Sequence, residues 1–151
     1  MKFSEIIKPG HVALDLQAGP KEAVLRALLG IVAGDLAGGE AEGIYEALLS
    51  REATMSTAIL PEVAIPHAVV ASVASPVVAL GICRGGTDYA SLDGAATKVF
   101  FLLLSPANPP NSHLMVLASL ATLMQSAGII ADLEGARNEA EILAAIASHE
   151  A

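Results

Sequence analysis

The chain has 151 residues and a formal net charge of −8, with 16 acidic against 8 basic side chains. This length is typical of a single domain, here residues 1–151, and allows a substantial core to be buried. The acidic excess disfavours binding to nucleic acid or to anionic membrane surfaces, because both carry negative charge.

The hydrophobic content of 54% comes largely from 29 alanines rather than from long apolar runs. The longest candidate, Val99 to Leu104, falls well short of the roughly 18 to 20 residues that a spanning helix needs, so we expect no membrane insertion. Met1 to Glu5 carries an early acid and does not resemble a signal peptide. Cys83 has no second cysteine to pair with, which favours a cytoplasmic location.

The first third of the chain predicts two helices. Apolar residues recur at helical spacing from Pro20 to about Leu36, and a proline suits the first turn of a helix. A second, shorter helix is expected from Glu40 to Ser50. Arg51 and Glu52 would then lie at or just beyond its C-terminal end.

Three apolar segments are too short and too continuous for amphipathic helices: Val63 to Val69, Val77 to Cys83 and Val99 to Leu104. Unbroken apolar runs are typical of strands that are buried on both faces. We therefore predict an α/β domain in which helices cover a β-sheet. His11 to Leu16 is a candidate for a further strand.

Two helices are predicted after the third strand. A loop rich in proline and asparagine precedes a helix that begins near His113, with Asn111 or Ser112 at the capping position. The last helix is expected to start at Asn138, with Glu141 three residues later in a capping-box relation.

The histidines are the first candidates for chemistry, because a neutral imidazole can act as nucleophile, base or ligand. His67 follows Pro66, which places it at the edge or the end of a strand; a reactive histidine and a core histidine with one hydrogen bond both fit. His113 lies at a helix N-terminus that favours an anion, although a capping histidine fits there too. His11 and His149 are expected to be solvated surface residues.

Arg51 is one of only four arginines in an acidic chain. Its guanidinium can hold a phosphoryl group at two points, or it can bind the last carbonyls of its own helix or Glu52. The sequence contains none of the short motifs for zinc, for nucleotide phosphates or for a serine nucleophile.

Taken in order, these blocks resemble the fructose/mannitol-type enzyme IIA domains of the bacterial phosphoenolpyruvate-dependent sugar phosphotransferase system, including its nitrogen-related branch. The resemblance covers nearly the whole chain and rests on Leu48–Glu52, Ser56–Thr57, Ala64–Ala68, Gly86–Tyr89, Leu92–Gly94, His113–Leu114 and Leu117–Ala121. It implies a mixed β-sheet sandwiched between α-helices.

The resemblance also implies a phosphocarrier. His67 would accept a phosphoryl group from the protein HPr and pass it to an enzyme IIB partner. His113 and Arg51 match the supporting residues of the family, and Thr57 is a candidate hydroxyl donor to the phosphoryl group. Transfer between two histidines needs no cofactor and no metal, so neither is expected.

Two alternatives stay open at this point. The chain can be a regulatory module whose phosphorylation state controls a partner protein, or a metal enzyme that uses His67, His113 and an aspartate from residues 88–93. One departure also bears on the phosphocarrier hypothesis. Leu60-Pro61-Glu62 stands where the family usually has glycines, so a carboxylate would repel a nearby phosphoryl group unless the loop turns it outward.

Overall fold

The computed structural model describes residues 2–36, 39–58, 60–71 and 73–150. The strands are β1 (Val12–Ala13), β2 (Val63–Ala64), β3 (His67–Val69), β4 (Val77–Thr87) and β5 (Thr97–Ser105). The helices are α1 (Lys21–Val32), α2 (Ala41–Thr54), α3 (Ser112–Met124), α4 (Ile129–Gly135) and α5 (Glu139–His149). Short 3₁₀ turns cover Phe3–Glu5 and Ala33–Asp35.

The strands form one mixed sheet in the order β1-β4-β5-β2, with β3 also paired to β5. The β4–β5 pair is antiparallel, and the other pairs are parallel. The predicted strand Val63 to Val69 is therefore present as two pieces, β2 and β3, which lie end to end beside β5. Pro66 lies in the gap because proline has no N–H to donate to a neighbouring strand.

Successive side chains of β5 alternate between two apolar cores, one on each face of the sheet. Phe100, Leu102 and Leu104 pack with α1 and α2. Phe101 and Leu103 pack with α3, α4 and α5. All five side chains are fully buried, which explains the unbroken apolar run and confirms the predicted sheet between two helical layers.

Helix α2 differs from its prediction at one end. It continues to Thr54 rather than ending at Ser50, so Arg51 and Glu52 lie in its last turn. The shift moves both side chains from a loop onto a regular helix. Their directions are thereby fixed by helical geometry.

The helix caps confirm part of the prediction. Asn138 caps α5, with its Oδ1 accepting from the N–H of Glu141 at 2.9 Å. The Glu141 carboxylate accepts from the N–H of Arg137 at 3.2 Å rather than from that of Asn138. Asn111 occupies the capping position of α3, but its side chain makes no capping hydrogen bond.

Within residues 2–36, 39–58, 60–71 and 73–150, no helix is by itself both long and apolar enough to cross a bilayer. Helices α3 and α4, which meet at a bend of 91°, reach the required length and composition only when they are taken together.

Candidate functional site

His67 opens strand β3 directly after Pro66, and its ring is half-buried. The ring nitrogen Nδ1 lies 2.7 Å from the carbonyl oxygen of Ile65. A carbonyl oxygen only accepts hydrogen bonds, so Nδ1 carries the proton and donates it. In the neutral ring Nε2 then keeps its lone pair, and it has no hydrogen-bond partner within the described part of the chain.

The sheet register places the His67 ring on a defined face. His67 lies opposite Leu103 of the parallel strand β5, and paired residues of adjacent strands point to the same face. Leu103 packs in the core that includes α3, whereas Ala68 packs against the core of α1 and α2. The His67 ring therefore lies on the face that α3 covers.

His113 lies in the first turn of α3 and is half-buried. Strands β3 and β5 are parallel, so their carboxyl ends meet at one edge of the sheet. The hydroxyl of Ser112 donates to the carbonyl of Pro106 at 3.3 Å, which ties the start of α3 to the end of β5. His67 and His113 thus share a face and an edge of the sheet.

Arg51 is half-buried in the last turn of α2, a helix that packs against β3. Its Nη1 donates to the carbonyl of Met55 at 2.8 Å. Binding to a carbonyl at the C-terminal end of its own helix was one of the alternatives expected for Arg51. A guanidinium has five N–H donors, so this one bond leaves donors for a ligand.

Thr57 is almost completely buried, with 3% of its surface exposed. Its backbone N–H donates to Oε1 of Glu52 at 3.0 Å, and its hydroxyl donates to Oε2 of the same carboxylate. Its carbonyl accepts from the N–H of Ile65 at 3.2 Å. Thr57 was expected to donate its hydroxyl hydrogen to a phosphoryl group, but in the structure this hydrogen is donated to Glu52.

The Glu52 carboxylate has a further partner in Lys21, whose Nζ lies 3.1 Å from Oε1. The same Nζ lies 4.5 Å above the centre of the Tyr89 ring. Burial, and then the nearby negative charge of Glu52, raise the pKa of Tyr89 far above its ordinary value. Lys21, Glu52, Thr57 and Tyr89 form a buried polar cluster beside the site, which we call the Glu52 cluster.

In the sequence Glu52 stands out only as a neighbour of Arg51, and the local spacing does not indicate this cluster. One sequence signal pointed to it. An acidic residue in the last turn of a helix faces the negative end of the helix dipole, which is unfavourable without another partner. Lys21 and Thr57 are the partners that compensate for the position of Glu52.

Glu62 occupies the left-handed backbone region, with φ at 64°. Its carboxylate lies 3.5 Å from Nζ of Lys98. Val99, next to this pair on β5, is four residues from Leu103, which faces His67. At about 3.3 Å per residue the separation along the strand is roughly 13 Å, so Glu62 lies well away from the level of His67.

The expectation that His11 and His149 are solvated is wrong for both. The His11 residue is 8% exposed, and its Nε2 lies 2.8 Å from a carboxylate oxygen of Asp35. The His149 ring lies 2.6 Å from the Ser126 hydroxyl and 2.7 Å from the Asp132 carboxylate. Both rings join segments that are distant in sequence, a contact that local composition does not indicate.

The metal hypothesis finds no support in the geometry. Across residues 2–36, 39–58, 60–71 and 73–150, no three side chains of His, Cys, Asp or Glu converge in a way that could hold a metal ion. His67, His113 and the aspartates of 88–93 therefore do not form the ligand set that this hypothesis requires.

Residues 5–149 match the family model described as "Phosphoenolpyruvate-dependent sugar phosphotransferase system, EIIA 2". The chain belongs to this family. The "Nitrogen regulatory protein" of Pseudomonas aeruginosa is 30% identical over 129 residues, covering 85% of this chain and 84% of that protein. The "PTS system fructose-specific EIIABC component" of Bacillus subtilis is 34% identical over 152 residues. That match covers 99% of this chain but only 24% of the longer relative.

Solved structures agree with this assignment. The "Nitrogen Regulatory Protein IIA-Ntr from Neisseria meningitidis" superposes with a TM-score of 0.86 at 27% identity, covering 95% of this chain and 97% of that one. IIA mannitol from Escherichia coli gives a TM-score of 0.77 at 19% identity, over 93% and 98% of the two chains, and supports the fold alone. The predicted family and fold class are confirmed.

Proposed function

We propose that this EIIA chain is a phosphocarrier in which His67 accepts a phosphoryl group from an HPr-type protein and passes it to an enzyme IIB partner. The observation that carries the proposal is the hydrogen bond from Nδ1 of His67 to the carbonyl of Ile65, at 2.7 Å. It fixes the tautomer in which Nε2 holds the lone pair. A neutral imidazole nitrogen in that state is the nucleophile that phosphoryl transfer needs.

The transfer step balances without a cofactor. The lone pair of Nε2 forms the new N–P bond, while the N–P bond of the donor phosphohistidine breaks and its electron pair returns to the donor ring. Because Nδ1 keeps its proton, the His67 ring gains positive charge as the phosphoryl group arrives. The carbonyl of Ile65 faces that charge and stabilises it.

His113 and Arg51 are proposed to stabilise the phosphoryl group in flight. The uncapped first turn of α3 presents N–H groups beside His113, and such a helix end attracts an anion. Arg51 offers the guanidinium donors that the Met55 carbonyl leaves unused. Local donors matter in a chain of net charge −8, because the overall field repels phosphate.

Thr57 takes a different role in this proposal from the one its sequence position suggested. Its hydroxyl hydrogen is committed to Glu52, and the residue is buried. We therefore assign Thr57 to holding the backbone beside Ile65 rather than to touching the phosphoryl group.

A protein partner suits the surface around His67. Large apolar side chains are exposed within four residues of each of three proposed site residues in the sequence: Met55 at 49%, Val69 at 53% and Leu114 at 57%. Exposed apolar groups near a proposed site favour docking by another protein. A structural neighbour from Escherichia coli is the "Complex of enzyme IIAMTL and phosphorylated enzyme IIBMTL", and we extend that kind of partner to this chain. The proposal keeps the expected cytoplasmic location, consistent with a lone buried Cys83.

The test is phosphorylation with purified components. The protein is incubated with phosphoenolpyruvate, enzyme I and HPr, and its intact mass is measured before and after acid treatment. We expect one acid-labile phosphoryl group in the wild type and in the control His149→Gln, and none in His67→Ala. A wild type that gains no mass, or a His67→Ala variant that gains as much, would overturn the proposal.

A regulatory role is the second candidate function. The observation that favours it is the nitrogen regulatory relative that this chain matches over 84% of its length. Phosphorylated protein is mixed with a purified enzyme IIB, and the label on each protein is followed. Transfer of the label supports the carrier, whereas a label retained on His67 together with a stable complex that depends on phosphorylation supports regulation.

A further inference from the structure

The Glu52 side chain is only 2% exposed, which is unusual for a carboxylate. Its oxygens accept from the N–H of Thr57 at 3.0 Å, from Nζ of Lys21 at 3.1 Å and from the Thr57 hydroxyl. A buried carboxylate is costly unless a counter-charge and hydrogen bonds satisfy it. Both oxygens of Glu52 have donors, and one of those donors is a lysine ammonium, so the buried charge is satisfied.

The network reaches His67 through two hydrogen bonds. The carbonyl of Thr57 accepts from the N–H of Ile65 at 3.2 Å. The carbonyl of Ile65 then accepts from Nδ1 of His67 at 2.7 Å. The position of Thr57 therefore sets the position of the carbonyl that selects the His67 tautomer.

We infer that Glu52 is a positioning residue for phosphoryl acceptance at His67, with Lys21 as its counter-charge and Thr57 as the group that it holds. This inference rests on the proposed function, in which Nε2 of His67 is the nucleophile. Glu52 itself touches neither the ring nor the phosphoryl group. It acts by fixing the backbone that fixes the ring.

The chemistry of the cluster requires a carboxylate at this position. Thr57 presents two donors and Lys21 a third, and a carboxylate is a side chain with acceptors only. A glutamine has a single acceptor oxygen, and its NH₂ group would face a donor. The Lys21 ammonium, 3.1 Å from Oε1 of Glu52, supplies the positive charge that a carboxylate in this buried position needs.

The first experiment reads the tautomer of His67 directly. Protein labelled with ¹⁵N in histidine is studied by two-dimensional NMR, in which the Nδ1–H and Nε2–H forms of the ring are distinguished. We expect a single Nδ1–H form in the wild type and a mixture of both forms in Glu52→Gln. The matched control is Glu42→Gln, on the same helix, where the carboxylate is 63% exposed and pairs with Arg26.

The second experiment measures the rate of phosphoryl acceptance from phosphorylated HPr. A displacement of about 1 Å in a reacting group costs roughly a hundredfold in rate, so we expect Glu52→Gln to be slower by about that factor. Glu42→Gln should keep the wild-type rate. Thr57→Val should also accept the phosphoryl group more slowly than the wild type. Thr57→Ser keeps the hydroxyl and should retain most of the wild-type rate.

The results separate this inference from the proposed function. If the wild type accepts no phosphoryl group, the proposed function fails, while the tautomer comparison still tests Glu52. If folded Glu52→Gln keeps both the wild-type tautomer and the wild-type rate, the inference is overturned. If Glu52→Gln does not fold, Thr57→Val decides, and a wild-type tautomer and rate in that variant overturn it equally.

Discussion

Glu52 and Glu62 lie at the two ends of the connection from α2 to β2, and their surroundings differ. The Glu52 side chain is 2% exposed and is held by Lys21 and Thr57. The Glu62 side chain is 39% exposed and has Lys98 as its partner at 3.5 Å. Glu52 has an ordinary helical backbone, whereas Glu62 is strained at φ 64°.

The difference indicates which end of the connection matters for the proposed function. Hydrogen bonds run from Glu52 through Thr57 and Ile65 to His67, so we expect a disturbance at Glu52 to reach the proposed phosphoryl acceptor. Glu62 lies at the far end of the β2–β5 pairing, roughly 13 Å along the strand from the level of His67. We therefore expect the departure from the glycines of the family to affect stability more than phosphorylation.

Removal of the Glu52 carboxylate should have the largest effect on stability. In Glu52→Ala the Lys21 ammonium and the two Thr57 donors lose their acceptor, and breaking a buried ion pair costs about 3 kcal/mol. The free energy of unfolding is measured in urea. Glu42→Ala, which removes a carboxylate from an exposed ion pair, should cost less than about 1 kcal/mol. Equal losses of unfolding free energy in Glu52→Ala and Glu42→Ala would contradict the stabilising role of the buried carboxylate.

Alkaline pH should destabilise the Glu52 cluster through Tyr89. Burial, and then the charge of Glu52, raise the pKa of Tyr89 above its ordinary value of 10.0, so the folded protein keeps a proton that the unfolded chain releases. The stability that this proton contributes is complete below pH 10 and is lost as the pH rises further, with a slope of at most about 1.4 kcal/mol per pH unit. Unfolding midpoints measured from pH 8 to 11 should fall less steeply in Tyr89→Phe. If stability falls equally steeply with pH in the wild type and in Tyr89→Phe, Tyr89 is not the group that destabilises the protein at alkaline pH.

Relief of the strain at Glu62 should stabilise the protein. A left-handed backbone costs a residue with a side chain roughly 1 to 2 kcal/mol, and glycine avoids that cost. The ion pair with Lys98 is partly exposed and contributes little. Glu62→Gly should therefore raise the free energy of unfolding by about 1 kcal/mol, measured in urea. A decrease would show that the Lys98 contact outweighs the strain.

The smallest effect is expected for the charge of Glu62 on phosphorylation. The separation of roughly 13 Å exceeds the Debye length of about 8 Å at physiological ionic strength, so screening weakens any repulsion. Glu62→Gln should accept phosphoryl groups from HPr at a rate within about twofold of the wild type. An increase of tenfold or more would mean that Glu62 opposes the reaction and that the two glutamates are not independent.

The sequence predicted the parts of the molecule that local patterns encode. The apolar runs indicated a sheet covered on both faces, and Pro66 indicated a strand end at His67. The strand, loop and helix after Val99 placed His113 in the first turn of α3, as the structure has it. These features depend on residues that are close together in sequence.

The parts that were missed depend on contacts between distant segments. Helix α4 has seven residues, too few for helical periodicity to be visible. The burial of Glu52 requires Lys21, which lies 31 positions earlier in the chain. His149 is held by Asp132 across the packing of α4 and α5. A sequence pattern gives each of these residues a type but not a partner.

The central claim is that Nε2 of His67 receives the phosphoryl group while Nδ1 keeps its proton on the carbonyl of Ile65. The most direct measurement is two-dimensional NMR of ¹⁵N-histidine-labelled protein before and after phosphorylation by phosphoenolpyruvate, enzyme I and HPr. The account predicts phosphorus coupling at Nε2 of His67 and an unchanged Nδ1–H. A phosphoryl group on Nδ1, on another histidine, or on no residue would contradict it.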